Sequence, residues 1–348
     1  MFDIAVMGTA TEDVFVSVPA SKLVQISDAD ADYSYLALEY GAKLTVESIF
    51  ISVGGGSTNT AAGLAAMGLR TVAVAKVGQD DAGDRVLARL TELGIDTSHF
   101  VRCTDNLTGL SVILTGFSGD RTILTYRGAS AELRESEVPW DVLEQAPWMY
   151  VGSMSGESAP LFLRLAQFAG EHGIQLALNP GGTQLQKGWE YLRPALECCA
   201  TLFVNKQEAY RLTGVSPKRG EQDEHQMSTI LRGAGCARVF ITDGARGAEA
   251  FEGEQHYQMP AYKARVASTV GAGDAFAAGA ITALVRGESV EMAMKIGSLN
   301  AASVVQSLGA TEGLVSWEEA RRLVEECPPG HRCPLNQRAR ERQGGGKA

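Results

Sequence analysis

The run Ser268-Thr269-Val270-Gly271-Ala272-Gly273-Asp274-Ala275-Phe276-Ala277-Ala278-Gly279 puts small residues and a carboxylate at one junction. There a β-type run ending near Ala267 meets an Ala-rich helix starting at about Gly273. With so little side chain, the backbone can turn until the N–H groups of Gly271, Ala272 and Gly273 converge. Those groups sit at a helix N-terminus, whose free donors and dipole attract an anion. Asp274 beside them is either a base serving chemistry at that anion or a first-turn carboxylate complementing the dipole. A second tract, Gly54-Gly55-Gly56-Ser57-Thr58-Asn59-Thr60-Ala61-Ala62-Gly63-Leu64-Ala65-Ala66-Met67-Gly68, sets three glycines before another helix. Such glycines allow a hinge or a close approach of backbone to ligand. Asn59 projects from the first turn, where its amide can donate to and accept from a hydroxyl. Read alone, the tract is equally a tight strand-to-helix turn.

The usual phosphate motifs are missing. No Gly-x-x-x-x-Gly-Lys-Ser/Thr occurs, so the chain is not a P-loop protein. Phe276 stands where a dinucleotide fingerprint needs its last Gly. The five His (99, 172, 225, 256, 331) have no zincin spacing, and no Gly-x-Ser-x-Gly elbow is present.

These tracts are positioned by alternating short strands and helices. Strands are expected at 4–7, 14–18, 71–77, 148–151, 174–178, 201–204 and 237–242. A strand-like stretch at 44–53 leads into the glycines, and 107–126 reads as a hairpin turning at 118–120. Helices are expected at 57–67, capped by Ser57 or Thr58, and at 82–93, 160–171, 206–213, 224–233, 273–286, 289–306 and 317–326. The alternation predicts an α/β fold with a mostly parallel, doubly wound sheet flanked by helices. Ligands of such sheets bind beyond the carboxyl ends of the strands. Residues 14–53 and 107–126 are strand-rich without a long helix, and are expected to form a small β lid standing off the main sheet.

The chain has 348 residues, 45% hydrophobic and 21% charged, enough to bury a large core without disulfides or a structural metal. Its 31 Lys and Arg against 41 Asp and Glu give a net charge of −10, which argues against nucleic-acid binding. The first residues lack a basic signal region, and the longest apolar run, 275–285, is too short to cross a bilayer. The expectation is a soluble cytoplasmic protein with neither membrane nor nucleic-acid partner. Six scattered Cys do not read as a disulfide framework. Residues 327–348 read as a disordered tail, and Cys327, His331 and Cys333 within it have the ligand types for zinc but too few ligands to favour a site.

Together the two glycine tracts resemble the PfkB family of carbohydrate kinases, which has the ribokinase-like fold. Residues 54–68 match its glycine pair, Asn, small-residue helix and Leu-Ala-x-x-Gly. Residues 268–274 match its Asp-Thr-x-Gly-Ala-Gly-Asp except at Ser268. Gly8 and Asp13, Asn205-Lys206-Gln207-Glu208 (Asn-x-x-Glu), Thr242-Asp243-Gly244-Ala245-Arg246-Gly247 (Thr-x-Gly-x-x-Gly) and Asn300 follow in order. The resemblance covers about residues 1–325 and implies one kinase domain over 1–326. It implies an ATP-dependent phosphotransferase moving the γ-phosphoryl group to a hydroxyl of a small sugar. A nucleoside kinase is the alternative within the same chemistry, and a catalytically silent sugar-binding protein the alternative outside it.

By that resemblance Asp274 is the general base, and the backbone of Gly271, Ala272 and Gly273 the anion hole. Asp13, Gly55 and Asn59 hold acceptor hydroxyls. Asn205, Thr242, Gly244, Gly247 and Asn300 border the nucleotide, and Glu208 supports Mg²⁺ through water. In isolation Asn205 and Glu208 read as an ordinary helix cap, and Gly244 and Gly247 as a turn pair. Two departures bear on the inference. Ser268 offers only a hydroxyl where several relatives use Asp beside a monovalent cation, which leaves a K⁺ requirement open. Leu178-Asn179-Pro180-Gly181-Gly182 keeps the Asn of the family's Asp-x-Asn-x-Arg but not the Arg. Arg127 is the cation placed near the lid hinge, and reads as a solvated strand-end residue unless it meets an anion. Lid pairing in the family implies a homodimer.

Overall fold

A computed structural model describes residues 1–19, 21–27, 32–115, 121–216 and 223–333. The central sheet runs in the order Gln255–Met259, Ala248–Glu252, Arg238–Thr242, Thr201–Asn205, Gln175–Leu178, Trp148–Val151, Ile4–Met7, Thr71–Val74. From Arg238–Thr242 to Thr71–Val74 every pairing is parallel. The two edge strands, a hairpin missed in the sequence, pair antiparallel. A sheet covered on both faces needs apolar residues at consecutive positions. Ile4–Met7, Thr71–Val74 and most of Trp148–Val151 supply them, fully buried. Alternate side chains feed two cores. Ala5, Met7, Met149, Val151 and Leu202 join the core beneath helices Leu161–Glu171 and Trp189–Glu197. Ile4, Val6, Tyr150, Ala177 and Phe203 join the core beneath helices Gly56–Ala66 and Ala272–Val285.

A separate four-stranded sheet has the order Arg121–Tyr126, Gly109–Thr115, Thr11–Ser17, Ser48–Gly54. It takes the expected parts of 14–53 and 107–126 away from the main sheet, with the first strand starting earlier than expected. Among the described residues Lys22–Ser27 and Asp32–Ala37 pair only with each other. The expected hairpin turn at 118–120 lies outside the described residues.

Several boundaries move. The expected strand 71–77 breaks into Thr71–Val74 and Lys76–Gly78, the latter pairing with Val101–Cys103. Residues 260–267 form no strand. The helix Gly56–Ala66 is capped by Gly55, not by Ser57 or Thr58. Those two hydroxyls turn backward instead: Ser57 Oγ donates to Met7 O at 2.9 Å, and Thr58 Oγ1 to Gly54 O at 2.6 Å. At the start of the expected tail, Cys327 and Cys333 are joined by a disulfide and buried against Tyr262, Leu299 and Leu323. The rest of the tail, 334–348, lies outside the described residues. None of the described helices is long and apolar enough to cross a membrane.

Candidate active site

The strand order reverses beside Ile4–Met7, which has Thr71–Val74 on one side and Trp148–Val151 on the other. In doubly wound sheets the crevice at such a point receives the ligand. Thr201–Asn205 and Arg238–Thr242 end on the same side, so Asn205 and Thr242 are delivered by their strand ends.

Two helix N-termini meet there. Gly271 caps Ala272–Val285 with φ 77 and ψ 0, a left-handed conformation that favours glycine. Ala310 packs so closely behind it that an added Cβ would lie 2.8 Å from the Ala310 Cα. Ala272 N–H reaches Thr269 O only at 3.4 Å, and Gly273 is exposed. The first N–H groups of a helix have no acceptor within it, so the turn presents its donors to the crevice. Asp274 follows in the first helical turn, and Asn59 Nδ2 donates to its Oδ2 at 2.9 Å. The two helices are held by near backbone contact, for a Cβ on Gly63 would lie 2.5 Å from the Ala278 Cβ.

Burial pushes the Asp274 carboxyl up to about 6, opposed by the Asn59 bond and reinforced by the charges of Asp13 and Glu208. A carboxyl so placed is ionised at neutral pH yet more basic than an ordinary Asp. Asn59 Oδ1 is buried and has no partner, an unmet acceptor of the kind found at functional sites. Asp13 is 5% exposed. Burial raises its carboxyl, while bonds from Ser111 and Thr11 oppose the rise. Gly54 leaves space that the Asp13 carboxylate fills, and Gly55 lies against Thr9 O. Tyr150, wholly buried, reaches Asn179 Oδ1 at 3.4 Å; Asn179 Nδ2 donates to Phe203 O at 2.8 Å. Asn179 is therefore structural in this chain.

Thr242, Gly244, Gly247, Ala272 and Gly273 share one cavity of about 430 Å³, which joins the expected nucleotide residues to the anion turn. Its remaining wall includes Tyr262, Lys263, Val266 and Phe276. The segment 261–266 was missed because it has no periodicity and no motif. Asn205 and Glu208 form a reciprocal cap: Glu208 N–H donates to Asn205 Oδ1 at 2.9 Å and Asn205 N–H to Glu208 Oε2 at 2.8 Å. Burial still raises the Glu208 carboxyl. Asn300, expected to border the nucleotide, packs inside the helical layer. It is fully buried, its Nδ2 donates to Ala275 O at 2.8 Å, and its Oδ1 accepts from Val315 N–H at 3.3 Å. Ser298, Ala301 and Ala302 of its helix, Val290–Val304, line the cavity.

A family model described as pfkB family carbohydrate kinase matches residues 21–317. A ribokinase of Haemophilus influenzae is 27% identical over 290 residues, covering 82% of this chain and 91% of the relative. A 5-dehydro-2-deoxygluconokinase of Bacillus subtilis is 26% identical over 318 residues, covering 88% and 96%. Among solved structures, Arabidopsis thaliana ribokinase complexed with ribose and ATP superposes with a TM-score of 0.78 at 21% identity, covering 93% of this chain and 99% of the other.

Proposed function

The chain belongs to the pfkB family of carbohydrate kinases, and from that premise we propose that it moves the γ-phosphoryl group of ATP to a hydroxyl of a small neutral or acidic sugar. The observation that carries this reading is the Asn59–Asp274 bond at 2.9 Å, which sets a carboxylate of raised basicity beside the turn of Gly271, Ala272 and Gly273.

In this reading Asp13 and the Gly54–Gly55 backbone orient the acceptor from the small sheet, which serves as the lid. Asp274 accepts the proton of the attacking hydroxyl. The N–H groups of the turn meet the negative charge on the transferred group. Thr242, Gly244 and Gly247 border the nucleotide. Among the described residues no cluster of three or more His, Cys, Asp or Glu could hold a metal alone. Mg²⁺ keeps several waters and takes phosphate oxygens. Glu208, with Asn205, would hold it through water, and the ion would neutralise phosphate charge. Ser268 Oγ accepts from Val270 N–H at 3.2 Å, so at most one lone pair of its hydroxyl is left for a K⁺, whose other ligands would be backbone carbonyls.

The reading also includes a homodimer through the outer face of the lid. Ile49, Ile51 and Leu124 are each more than half exposed there. Ile51 lies opposite Val14, and Val112 lies opposite both Val14 and Leu124, so these side chains share one face. An apolar sheet face of that kind marks an interaction surface. Consumption of ATP implies a cytoplasmic enzyme.

The test is ADP release from Mg·ATP across pentoses, hexoses, dehydrodeoxygluconates and nucleosides. Saturable release with one acceptor class supports the reading and names the class. ATP left intact with all of them sinks it.

A further inference from the structure

We infer that Cys327–Cys333 is a site of thiol exchange whose opening loosens one wall of the 430 Å³ cavity. The inference rests on the kinase reading above only in taking ATP as the occupant of that cavity. The wall is the irregular segment 261–266, of which Ala261, Tyr262, Lys263, Ala264 and Val266 line the cavity. A segment outside helix and sheet must find partners for its backbone elsewhere. Among the described residues its N–H groups make one backbone hydrogen bond, from Lys263 N–H to His331 O at 3.1 Å. His331 lies inside the loop that the disulfide closes across six positions of sequence. The backbone anchor of the wall is thus held in a covalent ring.

The same ring meets the wall twice more. Gly330, with φ +83, lies so near Pro260 that an added Cβ would be 3.3 Å from Pro260 Cγ. Cys327 and Cys333 are buried in one apolar cluster with Tyr262, Leu299, Ala302 and Leu323. Tyr262 and Ala302 belong both to that cluster and to the cavity lining. Tyr262 is 4% exposed, yet its buried hydroxyl has no hydrogen-bond partner. A buried unpaired hydroxyl is costly, so opening the cluster regains its solvation. This packing yields more readily than a satisfied core.

Without the bond between sulfurs, little else holds the ring shut. Cys327 N–H, ending helix Trp317–Glu326, donates to Leu323 O at 2.9 Å, so the helix end stays anchored. His331 N–H reaches Pro328 O only at 3.3 Å. Pro328, His331 and Arg332 are exposed, and an exchanging thiol approaches from their side. The other cysteines, Cys103, Cys198, Cys199 and Cys236, carry free thiols. A ring this short constrains the unfolded chain little, so its effect is local. On the cytoplasmic reading thiols are kept reduced, and a disulfide found there is characteristically one that opens and closes.

The exchange balances. A thiolate of a dithiol attacks one sulfur of the pair, the bond between Cys327 and Cys333 breaks, and the other sulfur leaves as a thiolate. The second thiol of the reductant then displaces the protein sulfur and closes the reductant's own disulfide. Two electrons and two protons pass to the protein.

The test takes the full chain oxidised with glutathione disulfide, then reduced with dithiothreitol, beside a variant carrying Cys327→Ser and Cys333→Ser. Reduction should speed amide exchange across 261–266 and leave the strand Arg238–Thr242 unchanged. Calorimetry should show Mg·ATP bound at least about fivefold more weakly, the lower end of ordinary coupling between sites. The double variant should match the reduced protein and ignore dithiothreitol. Peptide mapping that finds no Cys327–Cys333 cross-link in the oxidised chain overturns the site. So does a double variant that responds to dithiothreitol as wild type does, or exchange at 261–266 that reduction leaves unaltered. Unaltered ATP affinity beside faster exchange overturns the link to the cavity. A chain that binds no ATP in either state overturns the kinase reading instead, and amide exchange alone then decides whether the ring holds the wall.

Discussion

Asn59 and Asp274, 215 positions apart in sequence, are joined by a single 2.9 Å bond from Nδ2 to Oδ2. Each belongs to the first turn of a different helix, so the bond fixes the two N-termini relative to one another. It also opposes the burial that raises the Asp274 carboxyl. The amide therefore tunes the Asp274 carboxyl as well as holding it.

Replacing Asp274 by Asn separates chemistry from stability. A positioned base is worth roughly 10²–10⁴ in rate, so kcat should fall by that factor with nucleotide affinity little changed. The fold should become more stable. Asp274 has its folded pKa near 6, above the ordinary 3.8. Between those values the native state binds the extra proton, so stability falls as pH rises through that window. Removing the ionised carboxylate should therefore raise stability at pH 8 by about 1–3 kcal/mol, and the gain should vanish below pH about 4. Urea unfolding of both proteins at pH 8 and pH 4 checks the sign. A variant that is both inactive and less stable at pH 8 contradicts the assigned environment.

The acid limb of activity should report the same group. kcat/KM should fall tenfold per pH unit below about 6 and level off above it, because the base must be ionised. Asn59→Leu removes the donor that favours the carboxylate, so its limb should move to higher pH. A limb near 4 in wild type, or no movement in the variant, would contradict Asp274 as the titrating base.

The sequence displayed the family and the fold better than the local packing. The two glycine tracts were legible because a tight entry into a helix needs small residues at fixed spacing, and the parallel strands because they read as unbroken apolar runs. The cap at Gly55 was not legible. Ser57 and Thr58 have good capping side chains, but tertiary contacts turn both hydroxyls backward. The edge hairpin Ala248–Glu252 and Gln255–Met259 mixes polar and apolar residues, as a half-solvated edge does. Asn300 matched its family position, yet burial occupies both ends of its amide.

Gly271→Ala tests the anion turn. A side chain at φ 77 costs about 1–3 kcal/mol, and this one also meets Ala310. The variant should lose thermal stability and lose more kcat than acceptor affinity. A full-rate Gly271→Ala enzyme would show that the turn does not carry the transferred group.

Glu208→Gln should raise the Mg²⁺ concentration for half-maximal velocity. The reciprocal cap with Asn205 should survive, since an amide oxygen still accepts from Asn205 N–H. Stability should therefore change by no more than about 0.5 kcal/mol. An unaltered Mg²⁺ titration removes Glu208 from the mechanism.

Leu124→Lys places a charge on the exposed apolar face of the lid. Light scattering should show a dimer for wild type and a shift to monomer for the variant. A wild-type monomer at micromolar concentration rejects the proposed assembly.

The contact of Gly63 with Ala278 has a consequence for how this scaffold changes over generations. The helices bearing Asn59 and Asp274 are locked almost backbone to backbone, where any larger residue would pry donor from acceptor. In the proposed reading the acceptor is gripped elsewhere, by strands of a sheet that shares no ladder with the main one. Substitutions on that sheet away from Asp13, whose charge acts on Asp274, would alter which alcohol is admitted without retuning the proton acceptor. The fold thus separates a part that tolerates drift from a part that does not, and new preferences can be acquired one lid residue at a time.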